Sequence, residues 1–147
     1  MNEVTIQIIN NSENPLPGYA TIGSSGMDLR ADLEEPVTLL PLQRKLVPTG
    51  IFVQIPEGYE IQVRPRSGLA IKNGITCVNA PGTVDSDYRG ELKVILINLS
   101  AESHTIHSGD RIAQMVLGKV ERAILQIVGK LEETQRGEGG FGHTGHN

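Results

Sequence analysis

Residues 79–91, NAPGTVDSDYRGE, hold the residue types best suited to chemistry in this chain. The stretch begins with turn formers, carries carboxylates at Asp85, Asp87 and Glu91, and places Tyr88 among them. Aromatic residues make up only 3% of the chain, so a tyrosine on a charged turn is unusual. A phenol ring can pack against a flat or sugar-like ligand while neighbouring carboxylates bind water or a metal ion. Taken alone, the stretch is explained equally well as an ordinary polar turn.

A second candidate for chemistry is an anion-binding segment that follows a predicted strand. Residues 64–68 read RPRSG, and the pattern predicts a short helix that Ser67 caps and Gly74 ends. The start of a helix carries unpaired amides and a partial positive charge, which favour a bound anion. The groups that would bind the anion are Arg64, Arg66, Ser67 and Gly68. The alternative is a plain capping serine with surface arginines.

Other polar residues lie where their role depends on the fold. Arg111 and Gln114 lie on a mostly apolar segment, which indicates an edge position or a bound partner. His104 and His107 lie near a turn and not on a helix, so hydrogen-bonded histidines are favoured over a metal pair. The single cysteine, Cys77, excludes an internal disulfide and is typical of a small buried hydrophobic residue.

The glycine-rich end of the chain also carries functional residue types. Residues 133–147 contain five glycines, and composition alone predicts a flexible tail. The single phenylalanine among those glycines instead favours an arm that folds over a ligand. Phe141 would cover a base, Arg136 would pair with a phosphate, and His143 and Thr144 would donate hydrogen bonds.

All of these residues must be positioned by a fold rich in β-strands. The chain has 147 residues, enough for one domain with a core, and its 17 glycines and 8 prolines among many Val, Ile and Leu predict an all-β architecture. The formal charge of −4 disfavours nucleic acid and anionic membranes as partners. The N-terminus shows no secretory pattern and the chain has no long apolar run, so the sequence predicts a soluble, cytoplasmic protein.

Alternating and apolar runs predict the strands, and the prolines predict edges, strand starts or bulges. The predicted strands cover residues 4–9, 59–63, 74–78, 92–99 and 111–120, with two or three more within 35–41 and 44–58. The strands at 74–78 and 92–99 are expected to form a hairpin with the functional loop at one end. The segment that begins at Ser67 is the only predicted helix.

In this order, the segments resemble the five motifs of the trimeric deoxyuridine 5′-triphosphate nucleotidohydrolase (dUTPase) family. The resemblance covers nearly the whole chain, and five ordered motifs at workable spacing are far more specific than one glycine-rich pattern. The motifs stand here as SGMDLRA (25–31), RPRSGLA (64–70), NAPGTVDSDYRGE (79–91), GDRIAQMV (109–116) and RGEGGFGHTG (136–145).

The resemblance implies a jelly-roll-like β-sandwich or barrel of the β-clip type, with one short helix, that assembles as a homotrimer. It implies a β-rich catalytic domain over residues 1–132 and a flexible arm over residues 133–147 that closes over an active site of a neighbouring subunit. Each site would take its first, second and fourth motifs from one subunit, its third from another, and its tail from the third.

The activity that the resemblance implies is hydrolysis of dUTP to dUMP and pyrophosphate, which limits uracil incorporation into DNA and supplies dUMP for thymidylate synthesis. Asp85 would orient and deprotonate a water for in-line attack on the α-phosphorus, without a covalent intermediate. Mg²⁺, held by Asp28 through water, would stabilise the phosphate charge. Tyr88 would lie under the sugar and exclude a ribose 2′-hydroxyl, and Phe141 would stack on uracil.

The resemblance also implies the remaining contacts to the substrate, including groups between Asn79 and Val84 that would read the uracil edge. The expected substrate-binding residues are Arg66, Ser67, Gly68, Asn79, Gly82, Thr83, Val84, Tyr88, Gln114, Arg136, Phe141, Gly142, His143 and Thr144. Two of them depart from the family pattern. His143 stands where many relatives carry serine, which would make a phosphate contact pH-dependent, and Thr83 stands where an apolar residue is common.

Three alternatives remain open at this point. The related deoxycytidine triphosphate deaminases share the β fold, the trimer and an Arg-Ser anion motif. A nucleotide-binding regulator would use the same pocket without hydrolysis, and a trimeric structural module would have no use for residues 136–144. The Asp-Ser-Asp-Tyr loop and the FGHTG tail favour the hydrolase. Assays of pyrophosphate and ammonia release would discriminate between them.

Overall fold

The chain folds into short antiparallel strands, and the expected all-β class is confirmed. The computed structural model describes residues 3–142. Within that range the elements are β1 (Gln7–Asn10), β2 (Met27–Arg30), β3 (Val37–Leu39), β4 (Arg44–Gln54), β5 (Tyr59–Arg64), α1 (Ser67–Asn73), β6 (Ile75–Cys77), β7 (Gly82–Val84), β8 (Glu91–Asn98), β9 (His104–Ile106) and β10 (Arg111–Lys119). None of the described residues belongs to a helix long and apolar enough to cross a membrane.

Two four-stranded sheets form a jelly-roll-like body. The first has the strand order β1-β4-β8-β6 and the second has the order β2-β10-β5-β7, while β3 pairs with β9. Many neighbouring strands are distant in sequence, as in the jelly-roll folds that close two antiparallel sheets over one core. The core is aliphatic, and its most deeply buried side chains include Leu29, Leu39, Ile61, Leu96 and Ile112.

A buried asparagine fixes the end of β8. The Asn98 side chain donates from Nδ2 to the carbonyl oxygens of Leu39 and Glu102, at 2.9 and 2.7 Å. Its Oδ1 accepts hydrogen bonds from the amide and the hydroxyl of Ser100, at 2.9 and 2.8 Å. The amide that follows Asn98 donates to the carbonyl of Gly74, the residue that ends α1 with a φ of 65°. The end of β8 is thereby joined to the end of the helix.

The same local structure recurs at the end of β1. Asn10 Oδ1 accepts hydrogen bonds from the amide and the hydroxyl of Ser12, and the amide after Asn10 donates to the carbonyl of Gly50, whose φ is 70°. A Cβ on Gly50 would lie 2.9 Å from the Ser12 amide nitrogen, and a Cβ on Gly74 would lie 3.0 Å from the corresponding amide. Glycine is required at both places by backbone conformation and by space. We call these two structures the Asn-Ser turns.

The expected hairpin around the functional loop is wrong in one respect. The strands β6 and β8 are antiparallel neighbours, as predicted, but residues between them form β7, which pairs with β5 in the other sheet. The loop therefore crosses from the first sheet to the second. A three-residue strand gives too little alternation for the sequence to reveal its partner.

The prolines and Cys77 take the positions that the sequence predicts. Pro36, Pro41 and Pro56 lie outside the strands, and Pro48 lies where the pairing of β4 with β8 changes register. Cys77 is buried in β6, and burial raises the pKa of its thiol to about 11. The thiol is therefore neutral near pH 7 and packs as an apolar group.

Candidate active site

Three charged side chains meet at one edge of the second sheet. Asp28 lies on β2, Arg66 follows β5, and Arg111 begins β10. Arg66 Nε lies 3.0 Å from Asp28 Oδ1, and Arg111 Nη1 lies 3.5 Å from Asp28 Oδ2. All three side chains remain partly exposed, with relative accessibilities of 27% for Arg66, 35% for Asp28 and 51% for Arg111. We call them the arginine cluster. Two guanidinium groups for one carboxylate leave an excess of positive charge that suits a phosphate chain.

Gln114 extends the arginine cluster across the sheet. In the strand register it lies opposite Asp28 on one side and opposite Arg64 on the other. Its Nε2 donates to the carbonyl of Pro65 at 3.2 Å. A Cβ on Gly26 would lie 2.5 Å from Gln114 Oε1, so the glycine makes room for this side chain. The first, second and fourth motifs therefore bring their polar side chains together in one chain.

The prediction that Ser67 caps the helix is wrong. The helix spans Ser67–Asn73, and its N-cap is Arg66, with no side-chain cap. The extended backbone of Arg66 (φ −95°, ψ 130°) is that of an N-cap residue, so Ser67 is already helical and exposed. The guanidinium of Arg64 is bound by a neighbour on its own strand, because its Nε and Nη2 donate to Gln62 Oε1 at 3.2 and 2.8 Å.

Asp85 and Tyr88 line a cavity of about 440 Å³. Both side chains are exposed, and the Tyr88 amide donates to the Asp85 carbonyl at 3.2 Å in a tight turn. Thr83 and Val84 of β7 also line this cavity. The other lining residues are Leu46, Val63, Glu91, Leu92, Lys93 and Ile95. A carboxylate, a phenol and an aliphatic wall together suit a ligand with a sugar and a flat base.

The backbone of residues 79–84 approaches β5 closely. Gly82 is buried and pairs with Val63, and the Ala80–Pro81 peptide bond is cis. A Cβ on Gly82 would lie 3.1 Å from Asn79 Nδ2 and 3.4 Å from Val63 Cβ. The small residue thus lets the Asn79 side chain lie against the strand that borders the cavity.

Sequence reasoning did not identify several residues that the structure places at these sites. Gly26 and Gly90 leave space for neighbouring functional side chains, and the available signal was their position inside the first and third motifs. Leu46 and Lys93 line the cavity from β4 and β8. They gave no signal because their role depends on pairing between strands that are distant in sequence.

The arginine cluster and the cavity are two separate groups in one chain. Across residues 3–142, the hydrogen bonds and ion pairs of the cluster side chains and Gln114 include none to Asp85 or Tyr88. Strand β5 connects the two groups, because it pairs with β10 along one edge and with β7 along the other. The geometry therefore allows each group to face a different neighbour.

From residue 120 to residue 142 the chain forms neither helix nor strand, and most of its side chains are exposed. Residues 121–138 are exposed without exception, and Ile124, Leu125 and Ile127 are each at least 92% exposed. Leu131 is 80% exposed. We call residues 121–142 the arm. A run of aliphatic side chains in water is unfavourable, so the arm has the character of a segment that packs on another surface.

The arm also carries the expected nucleotide-covering residues. Phe141 is fully exposed, with a φ of 51°, and Gly142 follows it with a φ of 86°. Arg136 Nε donates to the carbonyl three residues later, at 2.8 Å. His143 and Thr144 lie outside the described residues. The roles expected for these five residues stay predictions.

The donor groups near Asp28 fit a magnesium ion that a substrate brings with it. The part of the chain that the structure describes holds no group of three His, Cys, Asp or Glu residues arranged for a metal. A single carboxylate between two arginines cannot enclose Mg²⁺, but this ion keeps several waters and prefers phosphate oxygens.

His107 interacts with Asp110, whose Oδ2 accepts a hydrogen bond from the His107 amide at 2.8 Å.

Proteins of known family resemble this chain over nearly its whole length. A family model described as dUTPase matches residues 3–145. A deoxyuridine 5′-triphosphate nucleotidohydrolase of Finegoldia magna is 62% identical over 141 residues, covering 96% of this chain and 99% of that protein. Another from Fusobacterium nucleatum is 60% identical over 145 residues, covering 99% of each.

Solved structures agree with this relationship. A mutant dUTPase of Staphylococcus bacteriophage 80alpha with dUpNHpp has a TM-score of 0.87 at 26% identity, and the match covers 97% of this chain and 99% of that one. A mutant dUTPase from phage phi11 of S. aureus, described with a structural Mg(II) ion, has a TM-score of 0.79 at 24% identity over 88% of this chain and all of that one. With its five motifs, its fold and relatives near 60% identity, this chain belongs to the dUTPase family.

Proposed function

We propose that this dUTP diphosphatase hydrolyses dUTP to dUMP and pyrophosphate by Mg²⁺-assisted attack of water on the α-phosphorus, at sites shared between the subunits of a homotrimer. Family membership supplies the enzyme class and the substrate, so the proposal concerns how this chain's residues act. The observation that carries it is the position of Asp85 and Tyr88 on one cavity, apart from an arginine cluster suited to phosphates.

The cavity binds the nucleoside. Groups between Asn79 and Val84 hydrogen-bond the uracil edge, and the aliphatic wall leaves no room for the methyl group of thymine. Tyr88 lies under the deoxyribose. A site that pairs its polar groups with one base and fills the remaining volume discriminates strongly against others, since a wrong base leaves buried polar groups unpaired.

Asp85 acts on the attacking water. Its exposed carboxylate reaches the cavity from the turn after β7, where it can hold a water in line with the α-phosphorus and accept its proton. The bond between the α-phosphorus and the oxygen that bridges it to the β-phosphorus breaks as the new bond forms, and pyrophosphate leaves with that oxygen. No nucleophilic side chain is needed for this reaction.

The arginine cluster and its neighbours bind the triphosphate. Arg66, Ser67, Gly68 and Gln114 contact phosphate oxygens, and Arg136 of the arm adds a further guanidinium. When Mg²⁺ is bound, it neutralises charge on the leaving pyrophosphate. Because Arg66 pairs with Asp28 at 3.0 Å, a bound phosphate would compete for the arginine, and the carboxylate of Asp28 would then be free to hold hydrated Mg²⁺ through water.

Three chains complete each site. The cluster and the cavity are apart in one chain, and the arm exposes aliphatic side chains that need a surface. In a trimer the cavity of one subunit faces the cluster of the next. A β-rich catalytic domain over residues 1–132 then supports a flexible C-terminal tail over residues 133–147 that closes over the site of a third subunit. Phe141 stacks on uracil, while Gly142, His143 and Thr144 contact phosphate.

The products define the role in the cell. Removal of dUTP limits uracil incorporation into DNA, and dUMP is the precursor for thymidylate synthesis. The proposal places this activity in the cytoplasm and includes neither a nucleic-acid nor a membrane partner, in keeping with the formal charge of −4.

Incubation of the pure protein with dUTP and Mg²⁺ in ¹⁸O-labelled water tests the mechanism. We expect one labelled oxygen in dUMP and none in pyrophosphate, because attack on the α-phosphorus leaves the water oxygen on the nucleotide. Label in pyrophosphate would move the attack to the β-phosphorus. A parallel incubation with dCTP should release no ammonia. Release of ammonia would favour the deaminase alternative.

A further inference from the structure

The ring of Tyr88 is held in place by a hydrogen bond across its own turn. Tyr88 Oη donates to the carbonyl oxygen of Glu91 at 2.9 Å. The side chain is 45% exposed and lines the cavity beside Asp85. The bond spans three residues of sequence, so the ring folds back over the backbone of Gly90, which lies between its two ends.

Gly90 has no Cβ, and the ring occupies the space that a Cβ would take. A Cβ built there would lie 2.6 Å from Tyr88 Cζ and 3.0 Å from Cε2, and it would be closer still to Oη. Its φ lies outside the left-handed region, so the backbone itself does not demand glycine at this position. The demand comes from the tyrosine ring. Any larger residue at position 90 would force the ring away from Glu91 and toward the cavity or the solvent.

We propose that Gly90 is the specificity-determining positioning residue for Tyr88. Because Gly90 has no Cβ, the ring can lie against its backbone, at a distance from the sugar that admits deoxyribose and excludes ribose. The inference rests on the proposed role of Tyr88 under the sugar. The Tyr88 hydroxyl is held by the Glu91 carbonyl, and the ring lies against the backbone of Gly90, so both contacts restrict where the ring can lie. A 2′-hydroxyl is excluded only if the ring cannot yield.

The Gly90→Ala variant tests the inference by substrate preference. We expect the ratio of kcat/KM for dUTP over UTP to fall by about tenfold or more, within the roughly 10²-fold that rejection of one hydroxyl provides. Gly18→Ala is the matched control, because nothing lies within 4 Å of a Cβ at that position and its ratio should match that of wild type. A Gly90→Ala enzyme with the wild-type ratio overturns the inference.

A double-mutant cycle shows whether Gly90 acts through the ring. In the Tyr88→Ala background the clash is gone, so the added Gly90→Ala change should alter neither the substrate ratio nor the urea midpoint further. The cycle remains informative if Gly90→Ala folds poorly. Removal of the ring removes the clash, so the double variant should then be as stable as Tyr88→Ala. A further loss of preference in the double variant would mean that Gly90 acts on the substrate by another route, contrary to the inference.

Fluorine NMR reports the ring position without any turnover. The chain has three tyrosines, so 3-fluorotyrosine labelling gives three signals, and Tyr88→Phe identifies the one of interest. We expect Gly90→Ala to shift that signal and Gly18→Ala to leave it in place; an unchanged signal in Gly90→Ala refutes the steric contact. If Tyr88→Ala itself keeps the wild-type dUTP preference, the sugar role of Tyr88 fails, and with it the specificity claim. Lack of dUTP turnover by wild type would instead refute the proposed function.

Discussion

At the scale of single residues, the third motif separates two tasks. Asp85 and Tyr88 are three residues apart on one turn, which lets a carboxylate and a ring share a cavity without contacting each other's functional atoms. The hydroxyl of Tyr88 already donates a hydrogen bond to the Glu91 carbonyl. This arrangement agrees with the proposed mechanism, in which Tyr88 shapes the site and Asp85 acts on water.

Replacement of Asp85 by Asn should remove the acceptor of the water proton while keeping the volume of the side chain. We expect kcat for dUTP to fall by about 10²- to 10⁴-fold, the usual contribution of a positioned general base, with little change in binding. Pyrophosphate release measures the first quantity and dUpNHpp binding the second. Near-wild-type turnover with intact binding would show that another group activates the water.

Replacement of Asp28 by Asn should weaken the hold on the metal's waters and the ion pair with Arg66. We expect the Mg²⁺ concentration for half-maximal turnover to rise by roughly 10- to 100-fold, as for other outer-shell metal partners. A magnesium titration of dUTP hydrolysis measures this concentration. Asp87→Asn, which makes the same change of charge at another position, is the control. Full activity of the wild-type enzyme in EDTA would remove the metal from the mechanism.

At the scale of elements, the sequence predicted the long strands, the short helix and the location of prolines outside regular strand pairing. The alternating pattern along β8 and the mostly apolar run along β10 made these two strands clear, and Gly74 marked the end of α1. The three-residue β7 and its partner could not be predicted, since two residues of alternation fit either sheet. Lys93 and Leu46 could not be predicted as cavity residues for the same reason, because their place at the cavity depends on which strands pair.

Substitution of either glycine in the Asn-Ser turns should destabilise the fold. Ala at position 74 or 50 places a Cβ on a residue with positive φ and against a serine backbone, so each variant should lose about 1–2 kcal/mol or more of unfolding free energy. Urea denaturation measures the loss. Gly23→Ala, where a Cβ would meet nothing within 4 Å, should unfold like wild type. Equal stability of Gly74→Ala and Gly23→Ala would contradict the geometry.

At the scale of the whole molecule, two features of the single chain favour assembly with other copies. Its arm leaves Ile124, Leu125 and Ile127 in water, and among the described residues no hydrogen bond or ion pair joins the arginine cluster to Asp85 or Tyr88. Both features follow if the chains assemble around shared sites, because closed rings of identical subunits bury such surfaces and bring unlike patches together. No sequence pattern in a monomer predicts which subunit an arm will reach.

Removal of residues 136–147 should abolish most turnover while leaving the trimer intact. The deleted residues carry the proposed phosphate and base contacts, whereas the aliphatic part of the arm at 124–131 remains to pack between subunits. Dilution series with light scattering measure the oligomer, and pyrophosphate release measures activity. A truncated chain that hydrolyses dUTP like wild type would exclude the tail from the site.

If each site takes Asp85 from one chain and the tail from another, as proposed, two inactive variants should rescue each other. In a ring where one chain supplies position 85 and another supplies the tail, an Asp85→Asn chain refolded with a tail-less chain regains one intact site in every mixed assembly. Mixed samples should hydrolyse dUTP where each parent alone does not. If the mixture stays inactive, each chain works with its own parts only.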